Sequence, residues 1–207
     1  MRTVKAICLN ALDWKEADKL LILLTAENGK IVSRIRAVKN PKSKLKAGAA
    51  PNCYAEYTLH EQGGTTIVTG VEVIEQFFGT WTDPVKNLAA AVVTEALERV
   101  TAEGVAADRE FAIGLRALFG INYGEGIPYV YLLRFLTELL SETGTDKDEY
   151  ILPGHVKSLI NAVMNAGEDE LGCLDYSPSE VVAAVQWTGR LFRVAGEELK
   201  TLELLKQ

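Results

Sequence analysis

Cysteine is scarce in these 207 residues: Cys8, Cys53 and Cys173 are the only three, they stand far apart, and no Cys-x-x-Cys pair occurs. A zinc knuckle or a dithiol redox motif needs thiols paired closely in sequence, so neither is expected. The odd count argues against a disulfide framework. Cys8 falls inside an apolar strand pattern and reads as a small core residue. Histidine is scarcer still, with only His60 and His155. Neither stands at a familiar spacing from a Ser or Cys nucleophile, and each reads as a surface or capping residue. The glycine-rich loops that cradle phosphates are missing as well. Gly124-Glu125-Gly126 is the nearest approach, and Pro128 behind it marks a helix-opening turn instead. The carboxylates Asp146, Asp148 and Glu149, and Glu168, Asp169 and Glu170, lack the Asp/Asn/Gly ladder of a calcium loop and read as solvated acidic loops. No apolar run reaches bilayer-spanning length, since Leu20 to Leu24 is closely flanked by Lys19 and Glu27. Residues 1–6 contain no long apolar segment of the secretory kind. These absences lead to the expectation of a cytoplasmic protein that is not an enzyme, carries no cofactor and binds no metal.

One local absence points the other way. The chain carries a formal net charge of −6, yet residues 29–51 contain no Asp or Glu. They carry Lys30, Arg34, Arg36, Lys39, Lys42, Lys44 and Lys46. The excess belongs to a wider asymmetry. Residues 1–82 hold 11 basic against 8 acidic side chains, and residues 83–207 hold 11 against 20. Such a division suggests two parts with different jobs.

Hydrophobic periodicity draws the same boundary. Up to about residue 80 the pattern has a period of two. Residues 4–12 and 20–25 are apolar runs, and Glu27-Asn28-Gly29 reads as a hairpin turn. Residues 31–38 alternate, with Ile31, Ser33, Ile35 and Ala37 on a core-directed face and Val32, Arg34, Arg36 and Val38 opposite. Residues 53–60 alternate with Ala55, Tyr57 and Leu59 inward. Residues 67–74 alternate with Ile67, Thr69, Val71 and Val73 on one side. Five strands with one connection of about a dozen residues fit a small five-stranded barrel, of OB or SH3-like type.

From Asp83-Pro84 onward the period lengthens to about 3.6. Asp83 is a candidate N-cap with Pro84 at the first helical position. Leu88, Val92, Ala96 and Val100 share one face of that helix. A second helix runs through Phe111, Leu115, Leu118 and Phe119 to Gly120, and a third opens at Pro128. A fourth follows Pro153-Gly154. Ser177-Pro178-Ser179-Glu180 is a capping box that opens a fifth. The sequence therefore predicts an α+β protein in two domains: a nucleic-acid-binding barrel over residues 1–80 and an all-α helical bundle over residues 81–207.

The basic stretch has three physical uses: a polyanion, an acidic partner, or solubility. Strand alternation sets Arg34 and Arg36 on one face. Lys42, Lys44 and Lys46 recur at every second residue between Pro41 and Pro51. Tyr54, outward on the next strand, offers a ring for a base. A basic groove with an aromatic platform suits single-stranded nucleic acid. The candidate DNA-binding residues are thus Lys30, Arg34, Arg36, Lys39, Lys42, Lys44, Lys46 and Tyr54. No helix carries an evident set of base-reading side chains, so sequence readout is not expected. The competing reading is an interaction scaffold whose basic loop engages an acidic segment.

These residues also carry a family resemblance. Glu16-x-Asp18-Lys19-Leu20-Leu21-x-Leu23-Leu24-Thr25-x-Glu27-x-Gly29-Lys30 resembles the N-terminal domain of RecO, the bacterial recombination mediator. So does Asn40-Pro41-Lys42-Ser43-Lys44-Leu45-Lys46-Ala47-Gly48, with Pro51, Tyr54, Glu56-Tyr57 and Gly63-Gly64 behind it. The resemblance covers residues 1 to about 80; beyond that it rests on layout and a leucine-rich C-terminal segment. It implies an OB-fold followed by a helical domain and binding of single- and double-stranded DNA. It also implies strand annealing without ATP, and RecA loading on SSB-coated strands together with RecR. The C-terminal tail of SSB would dock on the helical domain, where Arg116, Arg134, Arg190 and Arg193 are candidate contacts or ordinary surface arginines. Many family members carry a four-cysteine zinc module. Here the corresponding residues, 141–153, contain no cysteine, so zinc is not expected.

Overall fold

The computed structural model describes residues 1–144 and 151–206. Asp146, Asp148, Glu149 and part of the stretch compared with the zinc module lie outside them. The chain divides into two compact units: Met1–Phe77 with Leu97–Ala112, and Phe78–Ala96 with Ile113–Gln207.

In the first unit five strands close into a barrel: β1 (Arg2–Trp14), β2 (Asp18–Thr25), β3 (Gly29–Ile35), β4 (Tyr54–Gln62) and β5 (Thr65–Glu75). Their order around the barrel is β1-β2-β3-β5-β4. Neighbours are antiparallel except at the closing seam, where β3 and β5 run parallel over Arg34↔Ile67 and Ile35↔Val68. This order, with a long structured connection between β3 and β4, is that of an OB-type barrel and sets aside the SH3-like alternative. Alternation fills the interior as expected. Cys8, Leu21, Leu23, Ile35, Ala55, Tyr57, Leu59 and Val68 are all buried there, with Ile31 and Val38.

Two alternation patterns break where the backbone leaves regular geometry. The third strand, expected to reach Val38, ends at Ile35. Ala37 adopts φ +52°, and this left-handed residue reverses the phase. Ala37 is therefore exposed and Val38 buried, the opposite of a continued strand. In β5 the register steps from Leu59↔Val68 to Thr58↔Gly70, leaving Thr69 as the extra residue of a bulge. Thr69 and Val73 are consequently exposed, and Val68 joins the core.

The Asn28-Gly29 turn is confirmed, for a stronger reason than hairpin geometry. Gly29 has φ +56°, and a Cβ there would lie 2.1 Å from the Val105 carbonyl oxygen and 2.4 Å from that of Ala102. Residues 102–107 run against this turn through Lys30 N–H to Ala102 O (3.0 Å), Gly104 N–H to Asn28 O (3.1 Å) and Ala107 N–H to Ala26 O (2.7 Å). These bonds satisfy backbone groups that the hairpin leaves open. They are why the barrel unit includes residues 97–112, which the sequence reading assigned to the helical part.

The helical region comprises α1 (Gly79–Thr82), α2 (Pro84–Val100), α3 (Asp108–Tyr123), α4 (Pro128–Glu142), α5 (Gly154–Asn165) and α6 (Pro178–Val194), then a 3-10 segment, Lys200–Lys206. Asp83 caps α2, its carboxylate accepting from Val85 N–H and Lys86 N–H at 2.8 and 3.2 Å. The capping box Ser177/Glu180 opens α6. Helix α4 buries Leu132, Leu133, Phe135, Leu136, Leu139 and Leu140, and α6 buries Val181, Val185 and Phe192. Gly120 does not end its helix, which continues to Tyr123. It serves a close approach instead, since a Cβ there would sit 2.4 Å from the Tyr131 ring. In the same helix Phe119 is exposed.

Candidate nucleic-acid interface

Residues 36–53, between β3 and β4, form a pinned connection with a 3-10 turn at Lys46–Gly48. Successive turns close through Asn40 N–H to Ala37 O, Ser43 N–H to Asn40 O and Ala49 N–H to Lys46 O. Val38 and Ala49 are buried in the barrel core, and Leu45 packs against it. Gly48 lets the backbone come down onto β5, where an added Cβ would meet Val71 Cγ1 at 2.3 Å. From inside the barrel the Tyr57 hydroxyl donates to the Gly48 carbonyl at 2.8 Å. Burial, followed by the neighbouring Cys8 and Cys53, drives the Tyr57 pKa far above its ordinary value, so this hydroxyl stays a donor. Gln76 Nε2 donates to Ala47 O at 2.7 Å. The far end is stitched to β1 by Asn52 N–H to Cys8 O and Cys8 N–H to Cys53 O.

Apolar anchors thus alternate with lysines. Lys42, Lys44 and Lys46 are exposed, and no carboxylate among the described residues pairs with any of them. Three ammonium groups are held out from a fixed backbone, which lowers the ordering cost of meeting a polyanion.

The other basic residues are placed differently. Arg34, one residue before the end of β3, turns its guanidinium onto Asp18, Nε at 2.9 Å and Nη2 at 2.5 Å from Oδ2. The other carboxylate oxygen of Asp18 accepts Ala37 N–H at 2.8 Å. The Ala37 amide first, and Arg34 beside it, hold the Asp18 carboxyl below the usual carboxylate range. Arg36 lies past the strand end and donates to Gln62 Oε1 at 3.1 Å. The two arginines therefore do not share a strand face as alternation predicts, because the strand stops between them. Lys30 turns inward, its Nζ donating to Glu98 O at 2.5 Å. Lys39 pairs with Asp13 at 3.0 Å. Tyr54 is half-buried, and its ring meets Phe111 edge-on at 6.1 Å between centroids.

The tip of the β1–β2 hairpin joins this surface without any signal from strand alternation. Three contacts tie it to the root of the basic loop: Asp18 to Ala37, Asp13 to Lys39, and Lys39 N–H to Ala17 O at 3.0 Å. Trp14 stands at this tip, exposed, beside the exposed Lys15. The tryptophan and the adjacent lysine were visible in the sequence; their closeness to the loop was not, because it depends on a fold contact.

In the second unit, a cleft of about 300 Å³ is lined by Phe119, Tyr123, Tyr131, Arg116, Arg134 and Glu138 among others. Arg116 pairs with Glu138, and with Glu168 at 3.6 Å. Arg134 Nε also meets Glu138, at 3.1 Å. Arg190 lies over the Trp187 ring, 4.5 Å from its centroid, and Arg193 pairs with Glu198 at 3.0 Å. The fold thus brings Arg116 and Arg134 to one cleft, both already engaged by a carboxylate. His60 and His155 are exposed. Among the described residues no group of three or more His, Cys, Asp and Glu could hold a metal ion, and no helix is long and apolar enough to cross a membrane.

Residues 1–77 match the family described as Recombination protein O N terminal. The DNA repair protein RecO of Desulfitobacterium hafniense (strain Y51) is 34% identical over 114 residues, which cover 55% of this chain and 42% of that protein. RecO of Heliobacterium modesticaldum is 31% identical over 137 residues, covering 65% and 50%. RecO of Syntrophomonas wolfei is 26% identical over 207 residues, covering 98% of this chain and 82% of that protein. The matched part is thus half or less of the first two relatives and most of the third.

Proposed function

We propose that this chain, which by its first 77 residues belongs to the RecO family, is a non-enzymatic mediator of DNA repair and recombination that binds DNA through the barrel. The observation that carries this reading is the anchored loop with Lys42, Lys44 and Lys46 exposed and, among the described residues, without carboxylate partners. Each phosphate neutralised there releases a condensed counterion, so binding is driven by charge and weakens as salt rises. Arg36, and Lys39 once it leaves Asp13, extend the same surface. Lys30 and Arg34 are engaged within the barrel unit and support the fold behind it. Charge contact with phosphate is indifferent to sequence and serves single and double strands alike. Such a surface can bring two strands together without ATP by reducing their mutual repulsion.

The family relationship extends the proposal to partners: RecR, the C-terminal tail of SSB, and RecA indirectly through loading on SSB-coated DNA. An acidic tail entering the aromatic-lined cleft would compete with Glu138 for Arg116 and Arg134.

Fluorescence anisotropy with a labelled oligo-dT tests the core of this reading. Wild type should bind, with a slope of log K against log[salt] of about −3 to −4 for five or so contacts. Lys42→Ala/Lys44→Ala/Lys46→Ala should make that slope shallower by about 2. A wild-type protein that binds neither dT nor duplex at low salt would overturn the proposal. It would leave the acidic-partner scaffold as the better account of the loop.

A further inference from the structure

We infer that Trp14 is a base-stacking platform that makes the barrel prefer single strands, an assignment that rests on the DNA-binding reading above. The hairpin tip projects past the core: Leu12 and Trp14, two residues apart on one face of β1, are 47% and 46% exposed, while Cys8 on the same strand is fully buried. No ring, hydrogen-bond or ion-pair partner engages the Trp14 side chain among the described residues. An indole left about half in water presents apolar aromatic surface that a partner ring can cover.

Its position is not free to wander. The β1–β2 pairing continues to Trp14↔Asp18, and Asp18 is the residue that grips both Arg34 and the Ala37 amide. Lys39 closes the same junction through Asp13 and the Ala17 carbonyl. The Trp14 backbone is therefore held beside the root of the loop that carries Lys42, Lys44 and Lys46, with Lys15 next to it in a left-handed turn, φ +55°. Lysines placed along a backbone track phosphates, and an adjacent open ring then meets the base that the backbone presents. In a duplex both faces of each base are already stacked on neighbours. Only an unpaired base can accept the indole, so this contact discriminates between strand types where charge does not. Tyr54, the aromatic that strand alternation selects, is half-buried and already has Phe111 against its ring.

The test compares binding of a labelled dT oligomer and of a duplex of equal length by wild type, Trp14→Ala and Trp14→Phe. Trp14→Ala should weaken dT binding about tenfold while leaving duplex affinity, salt slope and thermal midpoint unchanged. Trp14→Phe should fall between. In a Trp81→Phe/Trp187→Phe background, where Trp14 is the one remaining tryptophan, its fluorescence should be quenched by dT and not by duplex. Unchanged dT binding by Trp14→Ala, or an equal loss on both ligands, overturns the assignment while DNA binding itself stands. Unchanged dT binding would make the Leu12–Trp14 face a candidate for protein contact. Failure of wild type to bind either ligand overturns the assignment together with the reading beneath it.

Discussion

Asp18 shows how much one carboxylate can organise. It is 9% exposed, and its two oxygens take the Arg34 guanidinium and the Ala37 amide. The strand thus ends where the basic loop begins. Asp18→Asn should cost about 1.5–3 kcal/mol at neutral pH, the range for hydrogen bonds to a charged group. The native carboxyl titrates below its unfolded value, so its contribution is complete above about pH 4 and is lost as pH falls through the lowered native pKa. Thermal midpoints of wild type and Asp18→Asn, compared from pH 7 down to pH 3, should converge at the acid end. A gap that stays constant would mean the Asp18 charge is not what stabilises this junction. Arg34→Ala should lower the midpoint and leave the salt dependence of dT binding unchanged, because this guanidinium is already spent on Asp18.

At the scale of elements, the loop over residues 36–53 behaves as part of the barrel. Val38, Leu45 and Ala49 tie it to the core, and the Tyr57 hydroxyl caps the Gly48 carbonyl. Tyr57→Phe removes that donor and keeps the ring, leaving a buried carbonyl unpaired. A loss of about 1–3 kcal/mol in urea unfolding is expected. Because the lysines then sit on a looser backbone, dT binding should weaken with no charge removed. Retained stability together with full binding would show that the Gly48 carbonyl finds another donor. The loop was half legible in the sequence. Its alternating lysines and bracketing prolines were plain, as was the core role of Tyr57. That Tyr57 reaches up to the loop could not be read, since the contact spans β4 and a turn with no repeating pattern.

At the scale of the whole molecule, the boundary between β-structure and helices near residue 80 is not the boundary of the compact units. Leu97–Ala112 belongs with the barrel, through three backbone hydrogen bonds to residues 26–30. A fragment of residues 1–82 loses all three acceptor and donor partners, and one of residues 1–112 keeps them. The longer fragment should unfold cooperatively at a higher midpoint by circular dichroism; equal midpoints would show that residues 97–112 add nothing to the barrel. Gly29→Ala in the full chain should mimic the loss, since a Cβ cannot fit against the Ala102 and Val105 carbonyls.

The sequence by itself determined the secondary elements and what faces inward along most of them. A period of two or 3.6 is a local property, and so are the Asn-Gly turn, the Asp83 cap and the Ser177/Glu180 box. It also determined where positive charge gathers. Only the tertiary structure decided which of those charges remain available. Lys30 is answered by the Glu98 main-chain carbonyl, and Arg34 and Lys39 by the carboxylates of Asp18 and Asp13, groups that stand 68, 16 and 26 positions away in the chain. Lys42, Lys44 and Lys46 meet no such group among the described residues. Pairing depends on which groups the fold of the barrel unit brings within a few ångströms, and no periodicity along the chain encodes that distance.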